Sequence, residues 1–116
     1  MLADDSKVTA LRERLSADLR TAMKARDTAR SDALRALLAR LDQATAVPLT
    51  SEHAPVFGRS GEVPRRFMTW TEAQALVQDE INEKRRAIAT YKDLKLAAEV
   101  ERLEHQLDFM RRYRED

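Results

Sequence analysis

The chain has no cysteine, and glycine, proline and aromatic residues are scarce. Its 116 residues include two glycines and three prolines, and aromatic residues make up 5%. All of the glycines and prolines fall between Pro48 and Pro64. Because proline removes a helix donor and glycine weakens a helix, the sequence predicts long helices on both sides of one irregular segment. The absence of cysteine excludes disulfides and thiol chemistry.

Long hydrophobic runs and a strong net charge are also missing. No apolar run approaches the roughly 18 residues that a membrane-spanning helix needs. The first five residues are too acidic for a signal peptide. The net charge of +1 and the pI of about 8.1 give no global field that would attract nucleic acid, so a nucleic-acid surface must be a local patch. We therefore expect a cytoplasmic protein with a single domain, residues 1–116.

Apolar residues recur at intervals of three and four in four segments, a spacing typical of amphipathic helices. The first helix is predicted over residues 9–26, with Ser6 or Thr9 as its cap, and the second over residues 28–44 after a turn at Asp27. The third begins near Thr71, where the sequence Thr-Glu-Ala-Gln fits a capping box. The fourth follows a turn at residues 92–95.

The first two segments are nearly in phase, so one long helix over residues 9–44 is an alternative. A hairpin is favoured because a lone helix of that length leaves its apolar stripe without an intramolecular partner. The predicted fold is therefore all-α, a small antiparallel bundle of two helical hairpins, residues 9–44 and 71–113. They are joined by a loop, residues 45–70, whose length is unusual and typical of functional or disordered segments.

The sequence shows no catalytic constellation. Its two histidines are His53 in the loop and His105 in the fourth helix, and neither has a nucleophile at a suggestive spacing. Glu101 and His105 are four residues apart, but no further ligands complete a metal site, which favours an exposed pair. We expect no cofactor and no metal, and an enzyme acting alone is the least favoured interpretation.

Local groups of basic residues are the positive signal for function. Phosphate contacts need such cations, and aromatic residues nearby can stack on unpaired bases. The candidate nucleic-acid contacts are Arg20, Lys24, Arg26 and Arg30 around the first turn, Arg65 and Arg66 in the loop, Lys84, Arg85 and Arg86 in the third helix, and Arg111 and Arg112 near the end. Solvated helix faces, or the helix macrodipole at Arg26 and Arg112, explain the same pattern without a ligand.

Several segments taken in order resemble the GatB/YqeY family. These are residues 11–27, which contain Ala22-Met23-Lys24 before the turn at Asp27, then residues 33–39, residues 80–86, Tyr91 and Tyr113. The resemblance implies an all-helical module related to the C-terminal region of the aspartyl/glutamyl-tRNA amidotransferase B subunit, where the related region is non-catalytic and helps to engage tRNA. The amide-transfer chemistry, which uses glutamine as donor, belongs to domains that these residues do not match.

The sequence departs from the family pattern in two places. Lys95 stands where family members usually have glycine, so we expect the turn to be built differently. Family members also continue past the final aromatic residue with Leu-Pro into a second small helical domain, whereas Tyr113 is followed here by Arg114-Glu115-Asp116. The expected function is a non-catalytic accessory module that binds tRNA or another RNA. The alternative is a protein-interaction or homodimerisation module that uses Phe57, Phe67 and Trp70.

Overall fold

The computed structural model describes residues 2–45 and 68–115, with the side chains of residues 6–45 and 68–115. These ranges contain four helices, which are α1 Leu2–Lys24, α2 Thr28–Thr45, α3 Trp70–Asp93 and α4 Ala97–Met110. A short 3₁₀ turn, Arg111–Tyr113, follows α4. No strand occurs in either described range. The predicted all-α class with about four helices is confirmed.

The first hairpin reverses direction through a Schellman motif. The Asp27 N–H donates to the carbonyl of Ala22 at 2.9 Å, and the Arg26 N–H donates to the carbonyl of Met23 at 3.1 Å. Arg26 has a φ of 57°, the left-handed conformation that this motif requires at the residue after the cap. The prediction of a hairpin is thus confirmed, and the alternative of one helix over residues 9–44 is wrong.

The second hairpin turns through the same motif. The Leu96 N–H donates to the carbonyl of Tyr91 and the Lys95 N–H donates to that of Lys92, both at 3.0 Å. Lys95 has a φ of 60°. The expectation that lysine would force a different turn is therefore wrong, because the lysine adopts the conformation that glycine would take.

The predicted start of α1 and the predicted cap of α3 are wrong. α1 begins at Leu2, so Ser6 and Thr9 lie inside the helix and neither caps it. α3 begins at Trp70, and its cap is Thr69 rather than Thr71. The Thr69 hydroxyl accepts from the Glu72 N–H at 3.1 Å, and the Glu72 carboxylate accepts from the Thr69 N–H at 3.2 Å, which completes a capping box.

The hydrophobic core draws on all four helices. Its most deeply buried side chains are Leu15 from α1, Leu34, Leu37 and Leu41 from α2, Val77 and Ile81 from α3, and Met110 from α4. Leu103 of α4 is partly buried against this cluster. The stripes of both hairpins therefore face one shared core within a single chain.

Ion pairs between α2 and α3 surround this core. Arg40 contacts the carboxylate of Glu80, which is 5% exposed, and its second nitrogen lies 2.5 Å from the Glu83 carboxylate. These two hydrogen-bonded carboxylates raise the pKa of Arg40 and keep it charged. Lys84 lies 3.9 Å from the other oxygen of Glu80. Glu80, Arg40 and Lys84 therefore form a partly buried structural network between the two hairpins.

Residues 46–67 fall outside the described ranges. They include most of the loop predicted over residues 45–70, whereas Thr45 belongs to α2 and Trp70 to α3. None of the helices in the described ranges is both long and apolar enough to cross a membrane.

Candidate nucleic-acid interface

A shallow groove of about 350 Å³ lies where α1, the start of α3 and the segment after α4 meet. Basic side chains dominate its lining, and two aromatic residues contribute to it. The lining consists of Lys7, Ala10, Leu11, Arg14, Trp70, Arg112, Tyr113, Arg114 and Glu115. Residues from the first and last parts of the chain thus form one surface, which we call the basic groove.

Tyr113 anchors the floor of the basic groove. Its hydroxyl donates to the Asp18 carboxylate at 2.5 Å, and its side chain is buried. Burial raises the pKa of the Tyr113 phenol, and the hydrogen bond to Asp18 raises it further, so the hydroxyl stays protonated and keeps donating. The Arg14 guanidinium lies over the tyrosine ring, 4.8 Å from its centroid. The ring therefore orients Arg14 at the groove without neutralising its charge.

Trp70 forms one wall of the basic groove and is half-buried. Its indole N–H donates to the Glu115 carboxylate at 3.1 Å, and the Lys7 ammonium lies 5.7 Å from the ring centroid. The capping box of α3 fixes the backbone on which Trp70 stands. Gln74 fixes the segment after α4, because its side chain donates to the carbonyl of Tyr113 and accepts from the Glu115 N–H.

Phe109 brings one further arginine, Arg30, to the edge of the basic groove, beside Arg112. The guanidinium groups of Arg30 and Arg112 lie 4.5 and 4.6 Å from its ring centroid. The Phe109 ring also packs edge-on against Tyr113, with centroids 5.7 Å apart. The Phe109 ring thereby brings together Arg30, near the first turn, and Arg112, near the end of the chain, which are far apart in the sequence.

The electrostatics of the basic groove favour an anion. Among the described residues that line it, four are cationic, Lys7, Arg14, Arg112 and Arg114, and one, Glu115, is acidic. In the part of the chain that the structure describes, no carboxylate forms an ion pair with any of these four cations. Their charges are consequently available to a ligand from solvent.

The remaining predicted contacts are distributed over other surfaces. Arg20, Lys24 and Arg26 are exposed at the end of α1, and Arg85 and Arg86 are exposed on α3. Lys84 is occupied by Glu80, and Arg111 lies 3.4 Å from the Asp108 carboxylate. Arg65, Arg66, Phe57 and Phe67 lie outside the described residues. Of the predicted set, the structure places Arg112 and Trp70 in the groove lining and Arg30 beside it.

Lys7, Arg14 and Arg114 were not among the predicted contacts. Their charges stand alone in the sequence or alternate with acidic residues, as on any solvated helix face. The useful signal was the spacing of Lys7, Arg14 and Leu11 at steps of three and four on the helix side that also carries the core stripe. That spacing places both cations next to a packed surface.

Asp27 links the first turn to α4. Its carboxylate accepts from the Arg30 N–H at 3.0 Å and lies 3.1 Å from Nε2 of His105. The backbone hydrogen bond from Arg30 lowers the pKa of Asp27, and the hydrogen bond with His105 lowers it further. The predicted cap at Asp27 is confirmed. The sequence pairs His105 with Glu101, four residues earlier on the helix. The structure places the carboxylate of Asp27 against the histidine as well.

Nothing in the described ranges resembles a metal centre, since no three histidine or carboxylate side chains are grouped there. His105 lies within hydrogen-bond distance of Asp27, and the buried Glu80 forms ion pairs with Arg40 and Lys84. Comparisons with protein-family models, with curated proteins and with solved structures found no match to this chain.

Proposed function

We propose that this protein is a non-catalytic accessory module that binds RNA through the basic groove. The observation that carries the proposal is a set of four cations that form no ion pair within the described residues, beside a half-buried tryptophan. Lys7, Arg14, Arg112 and Arg114 supply contacts for phosphate groups, and the face of Trp70 supplies a surface on which a base stacks. This pairing of cations with an aromatic face is what single-stranded nucleic acid requires.

The size of the basic groove favours an unpaired nucleotide over a duplex. A volume of about 350 Å³ admits a base and its phosphate, whereas a double helix would contact only the rim. Proteins recognise RNA most specifically at loops and ends, where bases are unstacked. An RNA with exposed single-stranded regions, such as tRNA, therefore fits the groove better than duplex DNA.

The resemblance to the GatB/YqeY family supports the same proposal. The matching segments include residues 11–27, which carry Arg14 and Asp18, and Tyr113 at the floor of the basic groove. In the related amidotransferase subunit the equivalent region is non-catalytic and helps to engage tRNA. We accordingly assign this chain an accessory role in tRNA or RNA binding, without the amide-transfer reaction.

Fluorescence anisotropy tests the proposal with bulk tRNA, a short single-stranded RNA and a length-matched DNA duplex. The groove variant Lys7→Glu/Arg114→Glu should weaken RNA binding at least tenfold, because each reversed cation loses a phosphate contact. The matched control Arg85→Glu/Arg86→Glu makes the same change of charge on α3 and should bind almost normally. Equal losses in both variants, or equal affinity for the duplex, would contradict a binding site at the groove.

A further inference from the structure

A second groove lies beside the turn between α3 and α4. Its volume is about 360 Å³. Basic residues line one end, apolar residues the middle and acidic residues the other end. The lining consists of Lys92 and Lys95, then Leu96, Ala97 and Val100, and finally Glu101 and Glu104. We call this surface the turn face.

The turn face exposes large apolar side chains. Leu94 is 60% exposed and Leu96 is 43% exposed, and within the described ranges Met23 alone joins them as an exposed large hydrophobic residue. Two adjacent exposed leucines at one turn form a local apolar patch, in contrast to scattered single residues, which need no explanation. The patch continues onto α4 through the exposed Ala97, and Val100, a core residue that is 9% exposed, also lines the groove.

The two hairpin turns differ at one informative position. Both have the same Schellman motif, in which the last residue of the turn is also the cap of the following helix. In the first turn that residue is Asp27, which accepts a hydrogen bond from the Arg30 N–H. In the second it is Leu96, which provides no side-chain cap to α4. A leucine there lacks the stabilisation that a capping side chain provides, and its side chain is 43% exposed in the turn face.

The charges of the turn face are self-complementary. Lys92 and Lys95 lie at the turn, while Glu101 and Glu104 lie one and two helical turns further along α4. No ion pair in the described part of the chain involves any of these four side chains. When two such faces meet about a two-fold axis, the lysines of each copy lie opposite the glutamates of the other, and the apolar centres meet between them.

We propose that the turn face is a homodimer interface whose partner is a second copy of this chain. The two α4 helices pack antiparallel, with Leu96 and Ala97 at the centre and the four charged residues at the ends. The patch is small, so the dimer is weak and depends on concentration, unlike an obligate dimer. This surface is separate from the basic groove and its charges balance, so the inference is independent of RNA binding.

Complementary charge reversals test the proposal by sedimentation velocity. Each of the variants Glu101→Lys/Glu104→Lys and Lys92→Glu/Lys95→Glu should be monomeric, because like charges face each other across the two-fold axis. A mixture of the two should form a heterodimer, because the reversed charges pair again. The parent chain should dimerise as its concentration rises towards the millimolar range.

The control variant Glu13→Lys/Asp79→Lys carries the same change of net charge at exposed positions elsewhere. It should dimerise like the parent, and it should not form heterodimers with Lys92→Glu/Lys95→Glu. If the control behaves like the turn-face variant, general electrostatic attraction explains the result and the proposal fails. A parent chain that remains monomeric at millimolar concentration also overturns it.

Leu96→Asp provides a second test that does not depend on charge pairing. The aspartate can cap α4 as Asp27 caps α2, so the variant should unfold at a higher urea concentration than the parent when both are dilute. It should nevertheless fail to dimerise, because a carboxylate replaces the apolar centre. A variant that still dimerises would place the interface elsewhere and overturn the proposal.

Discussion

At the scale of single residues, two positions hold conformations that their side chains disfavour. Arg26 and Lys95 both have a positive φ, at 57° and 60°, and neither is glycine. The left-handed conformation costs an ordinary residue about 1–2 kcal/mol because its Cβ approaches the following carbonyl oxygen. Both hairpin turns thus form in spite of this cost, because the packing of the helices on either side stabilises the turns.

Replacement of Lys95 by glycine should stabilise the fold. Glycine removes the steric cost at positive φ but adds entropy to the unfolded chain, so the expected gain in the free energy of unfolding is about 0.5–1 kcal/mol. Urea unfolding of a dilute sample measures it. The control Ala89→Gly, at an exposed position inside α3, should lose about 1 kcal/mol. A loss of stability in Lys95→Gly would contradict the observed turn.

At the scale of elements, the helix ends show where sequence patterns were decisive and where they were ambiguous. Two overlapping segments fit a capping box at α3, Thr69 with Glu72 and Thr71 with Gln74. The first forms, because a carboxylate near a helix N-terminus interacts favourably with the macrodipole and an amide does not. Gln74 instead contacts the chain at Tyr113 and Glu115, a tertiary role that local sequence does not reveal.

The apolar spacing predicted the four helices and most of the core. It also predicted the first turn, since Asp27 is both a turn residue and a cap. The apolar spacing missed the first turns of α1, because no capping signal marks the start of the helix at Leu2. The buried Val8 extends the core stripe of α1 towards its N-terminus. The basic groove could not be predicted, because Lys7, Arg14 and Arg112 come together only through the packing of α1 against the segment after α4.

Asp27 supports both the α2 terminus and the link to α4, so its two roles can be separated. Asp27→Ala should cost about 1–2 kcal/mol in the free energy of unfolding, because the α2 cap is lost. Asp27→Asn should cost less, because an asparagine oxygen still accepts from the Arg30 N–H. Urea unfolding at neutral pH compares the two variants. An equal loss in both would mean that the charge matters and the cap does not.

The dependence on pH provides a control for the same residue. The pKa of Asp27 in the folded chain lies below its ordinary value of 3.8, so its charge stabilises the folded state above that value. The contribution is lost as the pH falls through the lowered pKa, because the carboxylate is then protonated in both states. Asp27→Asn should therefore show a weaker loss of stability between neutral pH and pH 3 than the parent.

At the scale of the whole molecule, one core holds both hairpins together. Leu34 is fully buried and belongs to a cluster that includes residues of α1, α3 and α4. Arg40 then connects the hairpins through an ion pair with Glu80, and Asp27 connects them through a hydrogen bond with His105. The two halves should consequently unfold as one unit, which is typical of small domains.

Truncation of the core should destabilise both hairpins at once. Leu34→Ala should lower the free energy of unfolding by about 2–5 kcal/mol, because it leaves a cavity at a fully buried site. Met23→Ala, at a side chain that is 51% exposed, should change it by no more than about 0.5 kcal/mol. Circular dichroism should show a single transition in urea for each variant. An early, separate loss of part of the helical signal in Leu34→Ala would contradict a shared core.

The proposed function depends on the basic groove, and the chain has an intrinsic fluorescent reporter there. Trp70 is the single tryptophan of the sequence and forms a wall of the groove. Titration with a short single-stranded RNA, followed by intrinsic fluorescence, is the most direct measurement. We predict that RNA quenches the Trp70 emission and that salt weakens this quenching. The variant Lys7→Glu/Arg114→Glu should abolish the quenching. RNA binding seen by anisotropy without any change in Trp70 emission, or no RNA binding at all, would contradict it.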